Sequence, residues 1–194
     1  MGSSQSEKTA SHERIVRAAS ARIRRDGVDG LTVAELMGAA GLTHGGFYRH
    51  FDSREELVAE AVEAALEHGA RRTAKVVVPE GADPLGTIVD GYLGKQHRDR
   101  PDSGCAVAAL SADVSRAGPR VRAAYASQVG RSLELLAGLL GDDGPHDVSG
   151  SAHLILAALV GALSIARAVG DTELSDEILE RTAQALHRYI DAAA

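Results

Sequence analysis

The sequence predicts an all-α protein with a small N-terminal domain, residues 1–54, and a larger helical C-terminal domain, residues 55–194. Apolar residues recur at helical spacing along most of the chain, glycine and proline separate the periodic segments, and no pair of alternating segments around a short turn indicates a β-hairpin. The composition, with 44% hydrophobic and 25% charged residues, is typical of a globular chain that buries a core.

Two helices are predicted close to the N-terminus. The first runs from Ser11 to about Asp26, where apolar residues alternate with basic ones, and Gly27 ends it. The second starts after Thr32, because the segment TVAE has capping-box spacing. In a capping box, Thr32 and Glu35 would each bond a backbone N–H group at the start of the helix.

A tight turn and two further helices follow. Gly41 is predicted to be the left-handed residue that closes the second helix, with the next residue folding back against it. Thr43 is a candidate N-cap for a third helix over about residues 44–50. The segment SREE, residues 53–56, is a second capping box that opens a long fourth helix, which ends within residues 72–75. Short helices around a glycine turn give the helix-turn-helix pattern.

Five further helices are predicted in the C-terminal domain. Their expected ranges are 84–98, 105–116, 119–140, 149–169 and 174–192. Pro84 fits the first turn of the first of these helices, since the N–H that proline lacks would be unpaired there anyway. Residues 76–78 are predicted to be either a short strand or the frayed end of the fourth helix.

Charge is distributed unevenly along the chain. The formal net charge is −6, yet residues 1–54 contain eight Lys and Arg against six Asp and Glu, and the remaining residues contain 13 basic and 21 acidic side chains. A basic N-terminal domain on an acidic body indicates an anionic partner for that domain alone.

Other features argue against several classes of protein. The single cysteine, Cys105, excludes an internal disulfide framework and a multi-cysteine zinc site. The polar N-terminal stretch lacks the apolar segment of a secretory signal. The uncharged run 151–166 is shorter than the ~20 residues that a membrane-spanning helix needs. We therefore expect a cytoplasmic protein without a metal or other cofactor.

The segment GLTHGGFYRHF, residues 41–51, contains three of the six aromatic residues of the chain. On an α-helix, which turns about 100° per residue, Phe47 and Phe51 lie on the same side and are expected to face the core of the small domain. Paired glycines alone also fit a loose turn, and clustered aromatics alone also fit a small core. Together with the caps and the local positive charge, they favour a helix that reads DNA.

The opposite face of this third helix suits an approach to DNA. Gly45 and Gly46 would let the backbone enter a major groove, with their N–H groups directed at phosphates or base edges. Arg49 is the long side chain in the middle of that face, suited to a bidentate contact with guanine. Phosphate contacts are expected from residues on its flanks and at the starts of neighbouring helices: Tyr48, His50, Thr32 and Arg54.

Residues 31–62, LTVAELMGAAGLTHGGFYRHFDSREELVAEAV, resemble the helix-turn-helix of the TetR/AcrR family of bacterial transcriptional regulators. The resemblance rests on a glycine followed by FYRHF and by SREEL. It implies a dimer that binds operator DNA through two heads and is usually released by a small molecule held in the C-terminal domain. Relatives often have a larger residue than Gly46, so their base preference is not transferred. The DNA-contacting positions that the resemblance implies are Thr32, Thr43, His44, Gly45, Tyr48, Arg49, His50 and Arg54.

Two helices near the C-terminus, 149–169 and 174–192, are predicted to form the homodimer interface because both carry wide apolar stripes. Packing within one chain would give a similar pattern, and the family resemblance favours the dimer. Its two heads would then read half-sites about one DNA turn, ~34 Å, apart in a near-palindromic operator. Small residues of the first helix would admit a closely packed partner: Ala157, Ala158, Gly161, Ala162 and Ser164.

An effector pocket is less clearly marked, because residues 55–194 contain only three aromatic side chains. Cys105, at the predicted start of a helix, could form a reactive thiolate that senses oxidants or electrophiles, although a buried and unreactive cysteine fits the pattern as well. If the helices within 84–140 enclose a pocket, its walls are mainly aliphatic and its polar contacts come from residues that also suit an ordinary surface or core. These candidates are Tyr92, Gln96, His97, Tyr125 and Gln128.

The sequence alone is also compatible with two other classes of function. A helical module that binds protein partners, without sequence-specific contact to DNA, would have the same pattern of helices. An enzyme would need a nucleophile such as Cys105 beside His97, or a metal held by His146, Asp147 and His153, and neither set has a recognised spacing. We therefore expect a non-enzymatic regulator of transcription, most often a repressor in the family that the chain resembles.

Overall fold

A computed structural model shows the fold. It describes residues 5–73, 78, 80–141 and 147–193, and this part of the chain forms α-helices and two short 3₁₀-helices without a β-strand. The predicted all-α class is confirmed. Residues 76 and 77 of the predicted strand or frayed end, and the proposed metal ligand His146, lie outside the described residues.

The α-helices are numbered in chain order. They are α1 (Gln5–Asp26), α2 (Val33–Ala39), α3 (Arg54–Thr73), α4 (Pro84–Tyr92), α5 (Lys95–Asp99), α6 (Ala106–Ser115), α7 (Pro119–Leu140), α8 (Val148–Ala168) and α9 (Glu173–Ala193). One 3₁₀-helix, His44–Arg49, follows α2 and is called the recognition helix below; the other, Pro101–Ser103, precedes α6.

The chain forms two compact units, each built from two segments. The first unit comprises Met1–Gly69 and Pro101–Tyr125, and the second comprises Ala70–Arg100 and Ala126–Ala194. These structural units follow the packing of the helices and do not divide the chain at residue 54. The functional boundary between residues 1–54 and 55–194 stays a prediction.

Helix α1 begins six residues earlier than predicted, at Gln5 and not at Ser11. The added stretch consists of polar residues and Ala10, and its exposed side chains leave no apolar pattern from which a helix can be inferred. Glu7 lies in the first turn, where a negative charge interacts favourably with the helix dipole. Gly27, with φ +74°, ends the helix as predicted.

The capping box predicted at the start of α2 is wrong. The Thr32 side chain makes no hydrogen bond to the backbone of the helix, and its hydroxyl donates to the Glu35 carboxylate at 2.5 Å instead. The same Glu35 oxygen accepts a hydrogen bond from Arg22 of α1 at 2.9 Å. A charged partner from another helix therefore holds the glutamate away from the backbone that it was expected to cap.

The other predicted end of α2 is confirmed. Gly41 has φ +73°, and its N–H donates to the Gly38 carbonyl at 3.0 Å. The Leu42 N–H donates to the Met37 carbonyl at 2.8 Å. This pair of bonds is the Schellman motif, which requires a residue that tolerates the left-handed conformation.

One of the two hydrogen bonds of the capping box predicted at the start of α3 is confirmed. The Ser53 hydroxyl accepts from the Glu56 N–H at 3.1 Å, as a capping box requires. The Glu56 carboxylate, however, accepts from the Asp52 N–H at 2.6 Å and not from Ser53. The glutamate therefore stabilises the chain one residue further upstream than predicted.

The helix predicted over 84–98 is wrong, because α4 ends at Tyr92 and α5 starts at Lys95. The start of α4 is as predicted, with Pro84 in its first turn and the Asp83 carboxylate accepting from backbone N–H groups. At the break, a Cβ at Gly94 would lie 3.1 Å from the Asp90 carbonyl oxygen, which is closer than nearly all real contacts. A residue without a side chain therefore suits this change of direction.

The core of the second unit is formed by α4, α7, α8 and α9. Its largest wholly buried aliphatic side chains include Leu85, Ile155 and Val89. Of the helices that the structure describes, α8 is long and apolar enough to cross a membrane by length and composition alone. A core helix of a soluble protein meets the same criterion, so this observation is weak evidence for a membrane span.

In the first unit, buried Arg24 joins α1 to the segment before α6. Its guanidinium donates to the Asp102 carbonyl oxygen, with the Nε atom at 2.7 Å, and to the Ser20 hydroxyl at 2.9 Å. Buried guanidinium groups need such acceptors because an unpaired one would cost much of the fold's stability. Arg24 thereby fixes the C-terminal half of α1.

In the second unit, buried Arg98 joins α5 to the start of α9. It donates to the carboxylates of Asp99 and Asp176, both at 2.7 Å, and to the Ser175 hydroxyl at 3.0 Å. The hydrogen bond to Asp99 and that to Asp176 raise the Arg98 pKa against the opposing effect of burial. Ser175 is fully buried and donates in turn to the Ala166 carbonyl of α8 at 2.8 Å. One serine thus connects three helices.

We predict that Ser175→Ala lowers the free energy of unfolding by about 1–3 kcal/mol, because the buried Ala166 carbonyl and one guanidinium N–H lose their partner. The measurement is urea unfolding followed by circular dichroism. Ser149→Ala is the matched control, since Ser149 is exposed at the start of α8. Equal midpoints for both variants would contradict the role given to Ser175.

Candidate nucleic-acid interface

The third helix differs in type from the prediction. It is a 3₁₀-helix of six residues, His44–Arg49, and not an α-helix over 44–50. Thr43 has the extended backbone of an N-cap residue, but its side chain makes no capping hydrogen bond. Because a 3₁₀-helix has three residues per turn, each step is about 120° and the faces differ from those of an α-helix.

Two aromatic rings hold the recognition helix in place, as the sequence predicted. Phe47 and Phe51 are 2% and 1% exposed, and their ring centroids are 5.5 Å apart. The His12 ring of α1 stacks on Phe51 with a centroid distance of 4.6 Å. Burial of these rings fixes the rotation of the short helix, which has few backbone hydrogen bonds of its own.

The outward side of the recognition helix presents Gly45, Tyr48 and Arg49. Tyr48 is 75% exposed, its ring edge-on to Phe47 at 5.2 Å. Arg49 is exposed, and within the described part of the chain its guanidinium makes no hydrogen bond or ion pair. A Cβ at Gly45 would meet no atom within 4 Å. Gly45 and Arg49 agree with the outward face predicted from the sequence, whereas Tyr48 was predicted on its flank.

Gly46 does not belong to that outward face. A Cβ at this position would lie 3.6 Å from Met37 Cε and 3.9 Å from Thr43 Oγ1, so Gly46 faces α2. The prediction that both glycines clear the DNA-facing side is therefore wrong for Gly46. The reason is that Met37 of α2 lies on this side of the recognition helix, and a projection of residues 44–50 alone does not show such a tertiary contact.

His50, predicted on a flank, is half-buried at the end of the recognition helix. Its Nδ1 atom is closed off from solvent and has no hydrogen-bond partner among the described residues. Burial lowers the pKa of His50, and the nearby charges of His12, Lys8 and Arg49 lower it further. The neutral imidazole is therefore the favoured form in the isolated protein.

Arg54 has contacts that the sequence did not indicate. Its Nη2 donates to the Val28 carbonyl at 2.8 Å and to the Leu31 carbonyl at 3.3 Å. Arg54 therefore ties the start of α3 to the loop before α2, where Thr32 is exposed. For His44 the structure describes the backbone alone, and its predicted contact, like those of Thr32, Thr43 and Arg54, stays a prediction.

Sequence reasoning did not find the N-terminal half of α1 as a neighbour of the recognition helix. His12 Nε2 lies 2.7 Å from Glu60 Oε2 of α3, and its ring centroid is 6.2 Å from that of His50. Lys8, one turn earlier, is near enough to lower the pKa of His50. The count of basic residues included Lys8, but nothing in the sequence pattern linked it to the recognition helix.

Two of the predicted effector contacts, Cys105 and Tyr125, belong to the first unit. Cys105 is half-buried at the N-cap position of α6. The Tyr125 hydroxyl donates to the Val107 carbonyl at 2.8 Å. Burial raises the pKa of Tyr125, and the charge of a Cys105 thiolate raises it further. These two side chains are therefore neighbours.

The other predicted effector contacts belong to the second unit. Tyr92 and His97 are paired, with ring centroids 4.7 Å apart and the His97 Nδ1 2.7 Å from the Tyr92 carbonyl oxygen. Gln128 is buried and bonded to Ser132 and Arg131 of its own helix. Gln96 is exposed. The assignment of these residues to a pocket stays a prediction.

Comparison with known proteins identifies the N-terminal segment. The family model for bacterial regulatory proteins of the tetR family matches residues 15–61, which run from α1 through the recognition helix into α3. Among curated protein sequences, none matches this chain significantly.

The whole chain is similar in fold to several solved structures. A TetR transcriptional regulator from Chloroflexus aurantiacus has 26% identity and a TM-score of 0.82, with 96% of this chain and 97% of that chain covered. A TetR-family regulator from Cytophaga hutchinsonii has 17% identity and a TM-score of 0.77, with 96% and 98% covered. The reduced form of E. coli NemR has 20% identity and a TM-score of 0.75, with 92% and 97% covered.

The matched segment contains the helix-turn-helix with its anchored recognition helix, and the similarity in fold extends over both compact units. Residues 15–61 therefore match the helix-turn-helix segment of the tetR family of bacterial regulatory proteins, and the whole chain shares its fold with a TetR transcriptional regulator.

Proposed function

We propose that the protein is a homodimeric, sequence-specific repressor that binds a near-palindromic operator in the cytoplasm and leaves it when a small-molecule effector binds. The observation that carries the proposal is the outward side of the recognition helix, where Gly45 leaves open space and Arg49 is exposed, with no partner among the described residues. The buried rings of Phe47 and Phe51 fix the orientation of this side.

Arg49 is the proposed base reader. Its exposed guanidinium can make two parallel hydrogen bonds to the O6 and N7 atoms of guanine in a major groove, which is the commonest specific contact of arginine with DNA. The absence of a side chain at Gly45 lets the helix backbone come close to the base edges. Phosphate contacts from Thr32, Thr43 and Tyr48 would fix the position of the head on the duplex.

A homodimer through α8 and α9 is supported by the apolar side chains that the single chain leaves exposed. Leu154 and Ile165 of α8 are 49% and 54% exposed, and Leu174 of α9 is 54% exposed. A Cβ at Gly161, on the same side of α8, would meet no atom within 4 Å. Burial of this face against its copy gives a two-fold dimer, whose heads bind two half-sites of an operator.

Release by an effector requires coupling between ligand and DNA. The effector would bind in the helical C-terminal domain, with Tyr92 and His97 as half-buried polar candidates. Helix α3 runs from Arg54 to Thr73 without interruption, so a tilt of this helix would displace the recognition helix. A coupling free energy of about 1–3 kcal/mol would weaken operator binding roughly 5–150-fold, and DNA would weaken effector binding by the same factor.

The first test is selection of bound sequences from a random DNA pool. We expect an enriched near-palindrome with a guanine in each half-site. Arg49→Ala should lose about 1–3 kcal/mol of discrimination at one base pair per half-site and keep its preference elsewhere. Arg17→Ala, at an exposed position of α1, is the control and should keep the full preference. An equal loss of affinity for all sequences would make Arg49 a phosphate contact.

The two adjacent glycines give a matched pair of variants. Gly45→Ala adds a methyl group on the outward side and should lower operator affinity on the order of tenfold, or about 1.4 kcal/mol. Gly46→Ala adds the same group in ordinary contact with Met37 and should change affinity by no more than about 0.5 kcal/mol. Both affinities can be measured by fluorescence anisotropy. Equal effects would contradict the orientation of the recognition helix.

The dimer face can be tested with a single charge. Ile165→Glu places a carboxylate in the proposed apolar interface and should weaken dimerisation by more than about tenfold, since a buried unpaired charge is costly. Gln184→Glu adds the same charge at an exposed polar position of α9 and should leave the dimer intact. Analytical ultracentrifugation distinguishes the two forms. A fully dimeric Ile165→Glu variant would exclude this face.

A further inference from the structure

Two histidines from different helices meet at the base of the recognition helix. The ring centroids of His12 and His50 are 6.2 Å apart, and both rings lie against Phe51, at 4.6 and 6.4 Å. Glu60 of α3 holds the His12 Nε2 at 2.7 Å. The mechanism of base reading by Arg49 uses none of these three polar side chains.

The burial of His50 leaves one ring nitrogen for an outside ligand. Nδ1 is inaccessible to solvent and has no partner among the described residues, whereas the ring as a whole is partly exposed. Only Nε2 can therefore approach a group beyond the protein surface. When the neutral ring carries its proton on Nδ1, Nε2 has a free lone pair, so it is the atom that takes up a second proton and can then donate to an anion.

The charges around His50 are mainly positive. Lys8 and His12 approach it from α1, and Arg49 precedes it in the recognition helix. From α3, Glu60 approaches this group, but its carboxylate is engaged by His12. These positive charges favour the binding of an anion near the His50 ring. Without an anion they oppose protonation of the ring, in agreement with the lowered pKa of His50.

We propose that His50 takes up a proton when the recognition helix binds operator DNA, with Nε2 facing a backbone phosphate, and that Lys8 and His12 complete this anion site. The inference rests on the proposed function, because the phosphate is brought to His50 by the docking of Arg49 and Gly45 in the groove. It adds the N-terminal half of α1 to the DNA-binding surface.

The direction of the pH effect follows from linkage. A phosphate next to the ring stabilises the charged form, so the pKa of His50 is higher in the complex than in the free protein, where it lies below the ordinary 6.5. Operator affinity is then constant at high pH and rises as the pH falls through the pKa that His50 has in the complex. It becomes constant again once the pH is below the pKa that His50 has in the free protein. Each unit between the two pKa values corresponds to about a tenfold change in affinity per head.

The experiment measures operator affinity by fluorescence anisotropy from pH 8 to pH 5.5 at constant ionic strength, with the DNA obtained by selection. We expect the unsubstituted protein to gain about tenfold or more per head over this range. His50→Gln keeps an N–H donor but does not titrate, and should bind the selected sequence at pH 8 with a nearly flat profile. His153→Gln, at an exposed position of α8, is the control and should follow the unsubstituted protein.

A direct measurement covers the case in which His50→Gln is poorly folded. Nuclear magnetic resonance titration of the unsubstituted protein gives the pKa of His50 with and without operator DNA. An increase on binding supports the proposal, and an unchanged value overturns it. Parallel pH profiles for the unsubstituted protein and a folded His50→Gln variant overturn it too. Failure of every form to prefer the selected sequence at any pH would instead refute the proposed function.

The contribution of Lys8 to DNA binding can be tested by measuring how operator affinity depends on salt concentration. Lys8→Gln removes one positive charge from each head and should reduce the slope of log affinity against log salt by about 0.9 per neutralised phosphate, which is about 1.8 for a dimer. Arg17→Gln is the matched control, because Arg17 lies nine residues further on and hence about 180° around α1. Equal slopes for Lys8→Gln and the unsubstituted protein would remove Lys8 from the site.

Discussion

The position of the recognition helix depends on the burial of Phe51. A six-residue 3₁₀-helix with two adjacent glycines has too few backbone hydrogen bonds to hold one conformation by itself. Phe51 is 1% exposed between the rings of Phe47 and His12, and this packing supplies the missing constraint. The exposure of Tyr48 and Arg49 on the other side is a consequence of it.

Features that depend on local backbone geometry were predictable from the sequence. A left-handed residue was expected at Gly41, and a proline in the first turn at Pro84, because these requirements are met by one residue type whatever lies nearby. The cap at Thr32 failed for the opposite reason. Its partner Glu35 is bonded to Arg22 of another helix, and a choice between partners depends on tertiary structure.

Contacts between helices were the other limit of prediction, as the orientation of Gly46 shows. Phe47 and Phe51 were predicted correctly to be buried, although the 3₁₀-helix ends at Arg49 and Phe51 follows it. Gly46 faces Met37 of α2, and a contact with a neighbouring helix cannot be inferred from residue spacing along one helix. The break at Gly94 was missed likewise, because a contact with the Asp90 carbonyl cannot be inferred from periodicity.

The N-terminal half of α1 shows why a binding surface is harder to predict than a core. Hydrophobic periodicity detects the part of a helix that packs on its neighbours, and the side chains of residues 5–10 are exposed. Yet this exposed turn brings Lys8 near His50, and its charge helps to lower the pKa of the imidazole at the end of the recognition helix. A surface that binds an anion must stay solvated until the anion arrives, so its residues leave no apolar pattern.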